Sequence, residues 1–515
     1  MIHVSDHHRI VGVPVQPTLV NLFPAAKRVT WQGNEMMLLN HGMEETRLLR
    51  NMGLEVPAPI LSQYDWEGGK PFDIQKKTAA MLTMNTRAYV LNGMGTGKTK
   101  AALWSWRYLN KSGLAGKLLV VAPLSTLNFT WAKEVFQTLP NVRTQVLHGT
   151  KAKRLDRLAD PHADVFVINH DGLAVIADEL ARRTDIDSLI LDELAVYRNG
   201  TAQRTKVTRK VVQKMKWAWG MTGSPAPNAP TDAWAQCTLL TPSTVPKYFN
   251  RFRDEVMYRL TQFKWAPKQD ALDKVFDAMQ PSVRFTLDDV VELPEIIERT
   301  IDIDLGPKQE RVYKQMEEHA FTAIASHEIT AMNAGAVLSK LLQISCGYIY
   351  TRDGDIVPLD NDERLQALVD IVLSTNEKVI VFAPFKHALA GIAKRLTSES
   401  IEVATISGDT PKGDRDDIFA AFQSTSKYKC IVAHPQTMAH GLTLTAASTI
   451  VWFAPITSLE TFEQANARVR RIGQKARQQI LMFQATKAER QMYARLRAKQ
   501  KVQNLLLEMF SEATA

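Results

Sequence analysis

The stretch LNGMGTGKTKAALW, Leu91 to Trp104, gathers three glycines, a lysine and a threonine where an apolar run hands over to a helix-forming one. Those residue types suit the polyphosphate of a nucleotide. Small residues let the backbone approach the oxygens, and N–H groups at a helix start point toward them. On this reading Gly93, Gly95, Thr96 and Gly97 make the cradle, Lys98 reaches the β- and γ-phosphates, and Thr99 ligates Mg²⁺. The usual spacing G-x-x-x-x-G-K-[ST] fails at its first position, which Asn92 holds. Gly93 and Gly95 keep the loop's backbone freedom, so the pattern breaks while the chemistry survives.

A second chemical element is LILDELAVYR, which ends an apolar run on Asp192 and Glu193. Phosphoryl transfer to water asks one carboxylate to hold Mg²⁺ and another to orient or deprotonate the water. Asp192 suits the first task and Glu193 the second. A third is QANARVRRIGQKAR, where Arg468 and Arg471 are spaced to share one helical face. Guanidinium forks brought from one lobe to phosphates held by another would make hydrolysis depend on closure, which turns chemistry into motion.

Elements must position these groups. RAYVLN, KLLVVAP, ADVFVINH, SLILDE and WAWGMTG form one block of short apolar runs, and KVIVFAP, EVATISG, YKCIVAH, STIVWFAP and QQILMFQAT form a second. Continuous apolar strands alternating with helices predict an α/β chain of two doubly wound parallel-sheet lobes, with ligands at the carboxyl ends of the strands. Size alone suggests roughly three units at about 150 residues each. The expected division is an N-terminal accessory region over 1–69, irregular in pattern; a first lobe over 70–240; an inter-lobe helical insertion and linker over 241–360; a second lobe over 361–485; and a C-terminal brace helix over 486–515. MEETRLLRNMGLEVPAPI reads as an amphipathic helix with a Gly stop, and 306–345 as helical.

The 515 residues are 45% hydrophobic and 23% charged, the composition of a globular chain, and 63 basic against 54 acidic side chains leave a net charge of +9. That excess favours an anionic partner such as nucleic acid. Cys237, Cys346 and Cys430 are too scattered for a disulfide framework or zinc knuckle, and His7, His8 and His41 are read as surface residues and not metal ligands. No run is long enough to cross a bilayer, and MIHVSDHHRI lacks the regions of a secretory signal, so a cytoplasmic location is expected. Trp217, Trp219 and Trp234 are assigned to the core.

Taken together, these segments resemble the Swi/Snf family of DNA-dependent ATPases within helicase superfamily two, over about residues 70–485. FDIQKKTAAML is similar to that family's glutamine motif, NGMGTGKT to its phosphate loop, VVAPLSTLNFTWAKE to the motif that follows, DELAVYRNG to the acid motif, MTGSPAPNAP to the coupling motif, and QANARVRRIGQ to its last diagnostic motif. The resemblance implies two RecA-like lobes, ATP with Mg²⁺, Gln75 on the adenine, Thr222, Ser224 and Gln464 as coupling residues, and Ser125, Asn128, Lys386 and Thr437 as contacts to the nucleic-acid backbone. It also implies a monomeric translocase on double-stranded DNA, of a minimal bacterial or phage type working in the nucleoid or host cytoplasm, without simple strand separation. A fork-remodelling or branch-migrating helicase and an ATP-gated DNA-binding protein with weak hydrolysis are the alternatives. The chain departs from the family at Ala195, where the acid motif has His, at Arg470, often His, and at Thr443, often Asn. Any relay through the missing His must therefore run by another route or be absent.

Overall fold

Residues 1–69 are not irregular. The computed structural model, which describes residues 2–498 except 94, 227–228, 262–263, 286–295, 326–330, 351–354, 439–443, 470–473 and 475, shows an antiparallel sheet there. Its strands are β1 (His3–Ser5), β2 (Ile10–Pro14), β3 (Lys27–Trp31) and β4 (Asn34–Asn40), in the order β1-β2-β4-β3. The Gln32-Gly33 turn joins the last two with φ of 50° and 80°, the backbone hand that matches strand twist in a two-residue hairpin. Val11, Val13, Met37 and Leu39 line its buried face, and Leu49 from the expected amphipathic helix, Met43–Asn51, closes over them. The next segment is not a separate body either. Met43, Ala58 and Ile60 share a core with the first parallel sheet, and Arg47 donates to the Met84 carbonyl at 3.1 Å with its guanidinium over the Trp217 ring.

The first block becomes β5 (Arg87–Val90), β6 (Lys117–Ala122), β7 (Thr144–Val146), β8 (Val165–Asn169), β9 (Ile186–Asp192) and β10 (Trp217–Met221). All five apolar runs are strands, as their composition requires when helices cover both faces. After the antiparallel ribbon of β11 (Met257–Arg259) and β12 (Trp265–Pro267), the chain returns as β13 (Ser282–Val283) to the edge of the same sheet. The order is β13-β5-β10-β9-β6-β8-β7, with parallel pairing throughout. Trp217 and Trp219 are buried in the core, and Trp234 packs half-buried beside it.

The second block joins β14 (Ile296–Asp302), then the ribbon of β15 (Tyr348–Tyr350) and β16 (Ile356–Pro358), then β17 (Lys378–Phe382), β18 (Val403–Ile406), β19 (Cys430–Ala433), β20 (Ala447–Trp452) and β21 (Gln478–Gln484). Its parallel sheet runs β14-β21-β20-β17-β19-β18. Helices Pro307–Ala325 and Ala331–Ser345 occupy the stretch expected to be helical, and Tyr313, Leu338 and Leu341 enter this lobe's core. The chain divides into two compact units, Met1–Val290 and Val291–Ala515. Residues 241–360 are thus shared between the units and do not form one insertion, because β13 completes the first sheet and β14 the second. Helix Lys487–Arg497 packs Ala488, Met492, Tyr493 and Leu496 into the second core; the rest of the expected brace lies outside the described residues. No helix is long and apolar enough to cross a membrane among the described residues.

Candidate functional site

The carboxyl ends of β5, β9 and β10 meet in one place, because those strands are neighbours in the first sheet. From β5 the chain enters the glycine loop, where Gly95 and Gly97 have φ of 79° and 77°. Gly97 also caps helix Lys98–Lys111. The left-handed backbone there favours glycine, and a Cβ would stand 2.0 Å from the Gln75 amide and displace it. Gln75 is buried, takes the Phe72 N–H on its Oε1 and donates weakly to the Thr96 carbonyl at 3.4 Å. It therefore braces the loop from behind, at the start of its own helix Asp73–Met84.

Lys98 folds back on the loop: its Nζ donates to the Asn92 carbonyl at 2.7 Å, and the Thr96 hydroxyl donates to the Gly93 carbonyl at 2.9 Å. Thr99 follows on the first turn of the helix. At the end of β9, Asp192 accepts from the indole of Trp131 at 2.8 Å and from the Glu193 N–H at 3.1 Å. Burial pushes the Asp192 carboxyl above its usual range, while Trp131 and the charge of Lys98 pull it back. Glu193 has φ of 54°, a left-handed backbone that is uncommon for a side-chain-bearing residue.

From the end of β10, the Thr222 hydroxyl lies 3.4 Å from Glu193 Oε1 and 3.3 Å from the Ser224 carbonyl, and it accepts the Ser224 N–H at 3.2 Å. Ala195 is buried in the turn Leu194–Tyr197, beside the carboxylate that Thr222 touches. Gln75, Gly93, Gly95, Thr96, Gly97, Lys98, Thr99, Asp192, Glu193, Thr222 and Ser224 are all brought to the carboxyl ends of these neighbouring strands. The contact of Trp131 with Asp192 is not foreseeable from the sequence, although Trp131 falls in a motif already singled out. Ser125 and Asn128 are exposed on the turn that leaves β6.

In the second unit, Lys386 opens helix Lys386–Ser398 after β17, and Thr437 follows β19 with its hydroxyl on the His434 carbonyl at 2.7 Å. Both line a cavity of about 610 Å³, together with Tyr350, Arg415, His434 and Gln436. Lys386 pairs with Asp409 at 2.5 Å while its side chain stays 60% exposed. Arg415 and His434 escape sequence reasoning, although their position after β18 and β19 is the signal that would find them. Gln464 is buried and donates to Glu460 at 3.1 Å, and Arg468 is buried with its carbonyl accepting from the Leu444 N–H. Arg471, Arg470 and Thr443 lie outside the described residues. No cluster of metal-binding side chains occurs among the described residues.

The model of the SNF2-related domain matches residues 80–346, and that of the helicase conserved C-terminal domain matches residues 363–473. A phage protein, putative protein p41 of Acyrthosiphon pisum secondary endosymbiont phage 1, is 30% identical over 404 residues, covering 74% of this chain and 85% of that one. The Xenopus tropicalis SWI/SNF-related matrix-associated actin-dependent regulator of chromatin subfamily A-like protein 1 is 25% identical over 82% of this chain, which spans only 43% of its length. A solved structure of Saccharomyces cerevisiae Dbp5 covers 84% of this chain and 86% of its own with a TM-score of 0.51 at 13% identity, a likeness of fold.

Proposed function

We propose, from the premise that the chain belongs to the SNF2-related family of superfamily-two ATPases, that it hydrolyses ATP to move along double-stranded DNA without separating the strands. The observation that carries the reading is the contact between Thr222 and Glu193. It joins the residue suited to activating water with the segment that resembles the family's coupling motif, so a change at the phosphates has a physical path to the rest of the lobe. The cavity of Lys386, Arg415 and Thr437 supports the DNA part, since a motor indifferent to sequence needs contacts to backbone phosphates more than to bases. The excess of basic over acidic residues points the same way.

In this reading Lys98 exchanges the Asn92 carbonyl for β- and γ-phosphate oxygens, and the glycine loop holds those phosphates on backbone N–H groups. Glu193 orients the attacking water and takes its proton. The Thr99 hydroxyl and the Asp192 carboxylate are hard oxygen donors that fit Mg²⁺, and Trp131 fixes the second of them. When bound, the metal neutralises charge on the phosphates. Arg468 and Arg471 are the proposed arginines for the transferring phosphoryl group, Gln75 is the proposed adenine contact and Gln464 a proposed coupling residue. Ser125 and Asn128 are proposed to touch the DNA backbone from the first unit.

The test is steady-state ATP hydrolysis at fixed Mg²⁺ and salt, with no polymer, duplex DNA, single-stranded DNA and RNA, beside Glu193→Gln. Strong stimulation by duplex DNA that Glu193→Gln abolishes supports a duplex-dependent ATPase, the half of the reading this assay tests. Equal rates in all four conditions would remove the DNA motor and leave an ATPase with another partner.

A further inference from the structure

We infer that Asn92 is a positioning residue, which ties the state of the phosphate loop to the segment Pro281–Phe285 that closes the first unit. That segment runs beside β5, accepting the Tyr89 N–H on Pro281 at 3.0 Å and the Leu91 N–H on Val283 at 2.8 Å. It then reaches the loop itself: the Gly93 N–H donates to the Phe285 carbonyl at 2.7 Å, and the Phe285 N–H donates to Asn92 Oδ1 at 3.0 Å. The other end of the Asn92 amide donates to the Thr78 hydroxyl at 3.1 Å, on the helix that carries Gln75. Asn92 is 2% exposed, and both ends of its amide are satisfied. The residue that breaks the glycine pattern is therefore a two-sided clasp.

The peptide group between Asn92 and Gly93 links this clasp to the nucleotide. Its carbonyl accepts from Lys98 Nζ, and its N–H donates to Phe285. A hydrogen bond at one end of a peptide polarises the group and strengthens the bond at the other. Phosphates that draw the ammonium off the Asn92 carbonyl weaken the hold of the Gly93 N–H on Phe285. Loading the loop thus loosens the last described stretch before residue 291, where the second unit begins. A glycine at 92 could make neither side-chain bond, so the substitution has a mechanical use.

The inference rests on Gly93–Thr99 being the phosphate loop. Arg284 is exposed within the segment, its guanidinium 4.3 Å from the Phe276 ring, and it offers a trypsin site beside the clasp. Cleavage there requires local opening, so its rate reports how firmly the segment is held. The full-length protein is digested with a small amount of trypsin, with and without a non-hydrolysable ATP analogue and Mg²⁺. Cleavage after Arg284 is read by mass spectrometry, and analogue binding is measured separately by fluorescence. The expected result is cleavage about twofold faster with the analogue. In Asn92→Gly, cleavage is fast in both states while the analogue still binds; in Asn92→Asp, which keeps an acceptor for the Phe285 N–H, slow basal cleavage returns. Analogue binding with unchanged cleavage at Arg284 in the wild type overturns the clasp and leaves the phosphate loop standing. Absence of analogue binding in the wild type overturns the loop, and the clasp with it. Cleavage in Asn92→Gly that still responds to the analogue as in the wild type makes Asn92 a packing residue and likewise overturns the proposal.

Discussion

Glu193 is held at φ 54°, where a residue with a Cβ stores strain of about 1 kcal/mol. Strain kept at the end of a core strand is informative when the side chain it aims makes a contact, here with Thr222. Glu193→Gly should raise the melting temperature, because glycine adopts that backbone without penalty, while ATP turnover falls at least about a hundredfold. Glu193→Gln should lose turnover equally with no gain in stability. Calorimetry beside a phosphate-release assay checks both, and a Glu193→Gly variant that melts below wild type would deny the strain. His170 gives a pH dependence. Its ring is buried with Nδ1 2.8 Å from the Tyr197 hydroxyl, and burial, helped by Arg204, lowers its pKa from 6.5 to about 4 against the pull of Asp171. The unfolded chain therefore takes the proton first, and stability is lost as the pH falls from 6.5 toward 4. The loss attributable to His170 approaches about 3 kcal/mol at the acid end. Denaturant titrations in EDTA should show a shallower acid limb in His170→Gln than in wild type, and coincident limbs would refute the assignment.

Between elements, a buried ion pair in the second unit joins helix Asp362–Ser374 to helix Lys487–Arg497. Arg364 and Glu489 pair at 2.9 Å with side chains 2% and 0% exposed. Glu489 also closes a capping box with Thr486, and Arg364 donates to the Phe453 carbonyl at 2.6 Å. Removing one member leaves a buried charge, so Glu489→Ala should cost about 3–5 kcal/mol in denaturant unfolding, whereas Arg364→Met with Glu489→Leu should cost much less. Equal losses in the single and double variants would show that packing, and not charge, is what the pair supplies. This contact marks the limit of what the sequence makes legible. The capping spacing of Thr486 and Glu489 is local and readable, but Arg364 lies 125 residues away and only the fold brings it in. The ten apolar runs became strands because burial on both sheet faces writes itself into composition. The N-terminal sheet did not announce itself, since KRVTW is largely exposed and carries no apolar run. At the site, the glycine loop and acid pair were readable as contiguous motifs. The partnership of Asn92 with Phe285, 193 residues apart, was not.

For the whole molecule, the proposed function requires that the two units read one polymer through its phosphates. Each phosphate contact releases counterions, so the affinity for duplex DNA should fall steeply with salt, with a log–log slope of about −0.9 per contact. Lys386→Ala and Arg415→Ala remove the two cationic side chains that line the second unit's cavity. Each should raise the DNA concentration for half-maximal ATPase at all sequences alike and reduce the salt slope by about 1. The polymer-free rate should hold, since none of the residues proposed for hydrolysis lines the cavity. Translocation and strand separation then part company in one assay. A motor that tracks phosphates along an intact duplex displaces a third strand laid in the major groove and leaves the duplex paired; a helicase yields free single strands from the duplex itself. Triplex displacement that needs ATP, disappears in Glu193→Gln and slows in Lys386→Ala is the expected outcome. Single strands released from a plain duplex at a comparable rate would instead assign strand separation to this engine.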